Sequence, residues 1–150
     1  MAQRRKKVLA IPGLGTVQLS PAHIFSFPSG LIGFEHLKEY VLVSSPEIEP
    51  LRWLIAVEDP TIGLPVLLPW YVLPHYELPG EYGDAQTYVP LVVVTLAAEA
   101  SQITVNLKAP IILNVRTRQG QQLILPGERY SATHPLSVAV SGKVPVGYGE

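Results

Sequence analysis

Proline and glycine interrupt this chain so often that a helix of ordinary length has nowhere to form: its 150 residues include fifteen prolines and twelve glycines. Proline removes a backbone donor and clashes with the preceding turn, while glycine brings the conformational freedom that marks turns. Between the breaks lie short runs of strand character: Val8 to Ile11, Thr16 to Leu19, Ile24 to Phe27, Tyr40 to Val43, Trp53 to Val57, Pro65 to Leu68, Leu91 to Leu96, Ile103 to Leu107, Ile111 to Val115 and Gln122 to Leu125. That spacing predicts an all-β fold, an antiparallel β-barrel-like domain of short strands, with a sandwich as the related alternative. At most one or two short helical turns fit. One spans Gly33 to Glu39, where Phe34, Leu37 and Tyr40 recur at steps of three, and one starts near Pro69, where Trp70 and Leu73 share that spacing.

The stretch from residue 103 to 136 is the most distinctive. Ile103, Val105 and Leu107 point one way while Thr104, Asn106 and Lys108 point the other, the period of a half-buried strand. Pro110 is expected to break the ladder, and Arg116-Thr117-Arg118-Gln119-Gly120 to turn between the second and third strands of a meander. The edge from Asn106 to Asn114 is the first candidate for partner contact, because Pro110 would leave part of it unpaired and Asn106, Lys108 and Asn114 project polar groups. The same residues admit a structural reading in which both asparagines cap turns and Pro110 marks a bulge. Phe34, Trp53 and Tyr130 are expected to anchor the core.

Length suits one domain, expected over residues 1–136 with 1–7 as a basic terminus and 137–150 as an extension offering a last strand at Val138 to Val140. The chain has no cysteine, which excludes a disulfide framework, a thiolate nucleophile and a cysteine zinc site. Pro12 and Gly13 end the apolar run after Arg4, Arg5, Lys6 and Lys7 too early for a signal segment or a membrane span, so a cytoplasmic protein is expected. Four of the eleven basic residues fall in the first seven positions, leaving seven basic against twelve acidic groups beyond them. Such a negative body repels phosphate backbones. An oligonucleotide-binding barrel therefore stands only as an alternative, since Lys108, Arg116 and Arg118 have no aromatic interleaved among them.

Residues 69 to 90 hold four tyrosines and Trp70 beside Glu77, Glu81 and Asp84. Such an aromatic, acidic loop suits a sugar, a peptide or a basic partner surface, because Tyr and Trp offer apolar area at low entropic cost. It also reads as a long connection pinned by its own rings. Catalytic candidates are sparse: His23, His36, His75 and His134 lie in no recognisable metal or nucleophile motif, and Glu58-Asp59-Pro60 reads as a strand end with Asp59 as turn acceptor. His134 is expected in a loop held by the Arg129-Tyr130 corner. No catalytic residue, cofactor or metal site is predicted.

Four blocks carry a family resemblance. They are Phe27-Pro28-Ser29-Gly30-Leu31-Ile32-Gly33-Phe34-Glu35 with Leu37 and Tyr40; Trp53-Leu54 leading to Asp59-Pro60 and Val66-Leu67-Leu68-Pro69; Val94-Thr95 with Thr104 to Ile111, Asn114, Thr117 and Gly120-Gln121-Gln122; and Tyr130 with His134-Pro135-Leu136. In this order and spacing they resemble the FliW family of flagellar assembly factors, small bacterial cytoplasmic proteins. The family usually has alanine where Val105 stands, a change that an open face would accommodate. The resemblance implies binding without catalysis. Its members bind newly made flagellin and also CsrA, the small RNA-binding translational repressor, so that flagellin translation follows secretion.

Overall fold

The computed structural model describes residues 7–11, 15–44 and 46–136. Arg4, Arg5 and Lys6, and the strand expected at Val138 to Val140, lie outside the described residues. The strands are β1 (Lys7–Ile11), β2 (Gly15–Leu19), β3 (Ile24–Ser26), β4 (Glu39–Val43), β5 (Arg52–Ala56), β6 (Gly63–Leu67), β7 (Tyr88–Thr95), β8 (Thr104–Asn114), β9 (Gln119–Gln122) and β10 (His134–Pro135). Helix among the described residues is confined to three-residue 3₁₀ turns at Pro21–His23, Pro69–Tyr71, Gly80–Tyr82 and Ala100–Gln102. The expected all-β fold is thus the one observed. Strands β3 to β9 close into a seven-stranded barrel, β8 meeting both β7 and β9. The pairings are antiparallel except for the closing bridge from Ser26 to Gln119. β1 and β2 form a separate hairpin.

Alternation along the strands sorts their side chains onto two apolar faces. Tyr40, Leu54, Ala56, Val66, Leu91, Ile111 and Leu113 join Phe25 and Phe27 in the barrel lumen. On the outer face, Val41 and Ile55 are covered by Leu9 of the β1-β2 hairpin. Elsewhere on that face Leu67, Val92, Val94, Val105 and Leu107 are covered by Tyr76, Leu125, Tyr130 and Leu136. Tyr130 is buried as expected, and Phe34 and Trp53 are half-buried against these clusters. Val105 is fully enclosed, so its face of the strand is closed rather than open.

Pro110 does not break the ladder as first expected but marks a bulge inside one continuous strand, the alternative that the sequence also admits. Leu91 pairs with Ile111 and Val93 with Asn106, so β7 spends one residue, Val92, where β8 spends Leu107, Lys108, Ala109 and Pro110. A bulge this large survives in a core only if its backbone groups find partners. The Leu107 N–H donates to Ser131 O, those of Lys108 and Ala109 to the Asn106 side chain, and Pro110 has none to place. The four carbonyls accept in turn from the Tyr76 hydroxyl, Leu125 N, the Gln122 side chain and Leu123 N. Proline is tolerated here because nothing opposite requires its missing donor.

Other boundaries move for local reasons. Gly33 to Glu39 forms turns rather than a helical turn, because Gly30 and Gly33 adopt φ of 70° and 90°. The third strand of the meander begins at Gln119 rather than Gln122. The turn closes over residues 115–118 with Arg118 at φ 60°, which returns Gln119 opposite Asn114. His134 lies in β10 opposite Val105, not in a loop. Asp59 is the turn acceptor expected, taking the Thr61 N–H at 3.2 Å and the Thr61 hydroxyl at 2.6 Å.

Candidate partner-binding surface

The tertiary structure joins the two regions that the sequence singles out. Tyr76 leaves the 69–90 connection to sit buried against the bulge, where its hydroxyl donates to the Leu107 carbonyl at 2.6 Å. Its ring centroid lies 4.5 Å from that of Tyr130. The Tyr130 hydroxyl accepts the Glu77 N–H at 2.9 Å, and the Trp70 indole donates to Tyr76 O at 3.0 Å. Burial, and after it the neighbouring Tyr130, pushes the Tyr76 phenol well above its ordinary range, which keeps the donor protonated. The far end of the connection is tied to the other end of β8. There Val115 N donates to Thr87 O, and the Arg116 Nε donates to the Thr87 hydroxyl at 2.9 Å.

Each candidate contact residue has a defined place in this frame. Asn106 turns its amide oxygen onto its own backbone, accepting from Lys108 N at 3.1 Å and Ala109 N at 3.0 Å. Lys108 donates to the Gly127 carbonyl, and Pro110 is buried. Asn114 caps the β8-β9 turn, its oxygen accepting from Arg116 N at 2.9 Å and Thr117 N at 3.0 Å. Glu77 pairs with Arg129 at 2.9 Å on the surface. Asp84 accepts from the Thr87 hydroxyl and from Gln86 N, which in that order hold its carboxyl below the ordinary range. Glu81 is exposed beside Tyr82, whose phenol is pushed up first by burial and then by Glu81.

Three surface hollows were not legible as such in the sequence. A cleft of about 290 Å³ opens at the β8-β9 hairpin, lined by Ser29, Tyr88, Asn114, Thr117, Gln119 and Gln121 among others. Two more apolar hollows share Leu68 and Val89. One of about 320 Å³ is lined by Trp70, Leu78, Tyr82 and Tyr88, and one of about 440 Å³ by Tyr71, Leu67 and Arg52. The signal for the first was the amide run Gln119-Gly120-Gln121-Gln122, which the expected turn and strand split between them. The turn cations face elsewhere. Arg116 is held by Thr87, and the Arg118 guanidinium lies 3.9 Å from the Phe25 ring centroid.

Among the described residues no group of three or more His, Cys, Asp or Glu is placed to hold a metal ion. No described helix is long and apolar enough to cross a membrane. Compared with known families, residues 11–136 match the FliW protein family. The chain belongs to the FliW family. Relatives named flagellar assembly factor FliW include that of Thermotoga petrophila, 37% identical over 134 residues and covering 83% of this chain and 89% of the relative. That of Thermosipho africanus is 32% identical over 133 residues, covering 83% and 92%. That of Clostridium botulinum is 36% identical over 132 residues, covering 81% and 92%. A crystal structure of the flagellar assembly factor FliW matches this fold with a TM-score of 0.79 at 28% identity, covering 89% of this chain and 99% of that one. The FliW match ends at Leu136, the buried residue whose N–H donates to Ile103 O as β10 closes over β8.

Proposed function

We propose that this FliW-family protein is a cytoplasmic flagellar assembly factor that works by binding. One partner is newly made flagellin, and the other is the translational regulator CsrA, which it antagonises. The observation that carries the reading is the family match over residues 11–136, together with relatives bearing that name at 32% to 37% identity. Both partners draw on one pool of the protein, so its availability to CsrA depends on how much flagellin is present. Antagonism needs no blockade of the RNA surface itself. A negatively charged body docked beside a basic groove repels phosphate as well as filling space.

The test is size-exclusion chromatography with light scattering on the protein alone and mixed separately with the flagellin and the CsrA of its own organism. Co-elution at a defined stoichiometry with each partner supports the reading. If neither complex forms at micromolar concentration, or if the protein retains RNA without CsrA, the reading fails. The electrostatic part has its own test. Neutralising Glu77, Glu81 and Asp84 together should weaken CsrA inhibition in an RNA competition assay, and unchanged inhibition would count against it.

A further inference from the structure

We propose that the cleft at the β8-β9 hairpin binds an extended, uncharged segment of a protein partner, rich in Ser, Thr, Asn, Gln or Gly, by hydrogen-bonding its peptide groups. The proposal rests on the reading of this chain as a protein that works by binding other proteins. The floor of the cleft is closed by packing. Ile112 is buried, and Gly120 has no side chain because the Phe27 ring occupies the space, with its nearest atom 2.4 Å from where a Cβ would stand. The rim carries Ser29, Asn114, Thr117, Gln119 and Gln121.

The hydrogen bonds already made decide what that rim has left to offer. The Asn114 oxygen is occupied by Arg116 N and Thr117 N, which leaves its NH₂ group. The Gln121 NH₂ donates to the Tyr82 hydroxyl at 3.1 Å, which leaves its carbonyl. The Gln119 amide and the Ser29 and Thr117 hydroxyls add donors and acceptors with no intramolecular partner among the described residues. A peptide group carries one donor and one acceptor, and this set answers both.

Charge selects the same class of ligand. Among the described residues the lining holds no Asp, Glu, Lys or Arg, although Thr117 stands between two arginines. Arg116 is drawn to Thr87 and Arg118 lies over Phe25, so neither lines the cleft. A charged segment entering here would lose hydration without an opposite charge to replace it. A sugar fits less well, because Tyr88, the aromatic ring of the lining, is already engaged edge to face with Tyr82 at 5.2 Å.

The experiment follows the side-chain NH₂ signals of Asn114, Gln119 and Gln121 by NMR in the full-length ¹⁵N-labelled protein. The probes are overlapping peptides spanning the flagellin and the CsrA of the same organism, with a maltose oligosaccharide as the glycan arm. Uncharged polar peptides are expected to move these signals. Gln119→Ala and Thr117→Ala should each weaken their binding about 3- to 10-fold, the worth of one hydrogen bond. Neither substitution should change the melting temperature, since neither side chain makes an internal hydrogen bond among the described residues. The proposal is overturned if no peptide moves the signals, if only charged peptides or the oligosaccharide do, or if both variants bind as wild type does. Should whole partners co-elute while the cleft signals stay still, the cleft proposal fails and the assembly-factor reading stands. Should peptides bind there while neither whole partner co-elutes, the cleft stands and that reading fails.

Discussion

Replacing Gly120 with alanine probes the packing that joins the barrel lumen to the hairpin cleft. A Cβ at this position would lie 2.4, 2.5 and 2.9 Å from three atoms of the Phe27 ring, where ordinary contact begins at 3.4 Å. Something must therefore shift by about 1 Å in an interior packed like a crystal. The ring has little freedom to yield, since Phe27 is 0% exposed and lies edge-on to Tyr40 at 5.2 Å. The strain falls on β9, whose pairing from Gln119 to Gln122 with β8 would have to slide or lift. Overpacking of this kind costs about 1–3 kcal/mol. At roughly 2–4 °C per kcal/mol for a chain of this size, the melting temperature should fall by about 2–12 °C. Urea denaturation of Gly120→Ala, Phe27→Leu and the double variant measures this directly. Because the shorter leucine makes room for the methyl, the double variant should lose less stability than the two single losses added together. A Gly120→Ala protein within about 0.5 kcal/mol of wild type, or penalties that simply add, would refute the packing argument.

Two buried tyrosines should respond oppositely to loss of the hydroxyl. Tyr76→Phe leaves the buried Leu107 carbonyl without its donor and should cost about 1–3 kcal/mol in denaturant melts. Tyr40→Phe removes a hydroxyl that has no partner among the described residues, so its stability should match or exceed wild type; a loss like that of Tyr76→Phe would contradict the geometry. Burial pushes the Tyr40 phenol up to about 12 and raises that of Tyr76 as well. An unfolded phenol ionises near 10 and the buried Tyr40 phenol only at about 12, so native stability is undisturbed below about 10 and falls as pH rises from there through about 12, because the unfolded chain ionises first. Tyr40→Phe should therefore lose less stability than wild type in this window, and equal losses would refute it. Asn106→Ala strips two backbone N–H groups of their acceptor and should cost about 1–2 kcal/mol, with faster hydrogen exchange at Lys108 and Ala109. Unchanged exchange there would show that the bulge does not depend on Asn106.

Much of this protein was legible because period and punctuation are local. Tyr40 to Val43 and Trp53 to Val57 read as strands because they are short apolar runs between turn residues, and their alternate side chains fill the lumen and the outer cluster. The four spaced blocks pointed to the FliW family, which the match over residues 11–136 bears out. The differences at Gly33 to Glu39 and at Gln119 follow from local turn geometry, whereas the one at Pro110 arises where backbone groups find partners far along the chain. Pro110 looks like a break because local rules give proline no place inside a ladder. The bulge holds because Tyr76, Ser131, Gln122, Leu123 and Leu125 converge on its carbonyls and N–H groups from separate segments.

The amino-acid sequence by itself determined the all-β class, the short strands and the family, since these depend on residue type and spacing along one chain. The tertiary structure alone decided how the candidate contact residues are used. Asn106 and Asn114 are visibly polar in the sequence, yet only the fold shows their oxygens turned onto backbone N–H groups. Ser29, Tyr88 and the Gln119-Gln121 strand come from segments far apart in the chain; Asn114 pairs with both Tyr88 and Gln119, and the closing bridge from Ser26 to Gln119 brings in Ser29. Closure depends on long-range pairing, and no periodicity within a single strand encodes which distant edge it will meet.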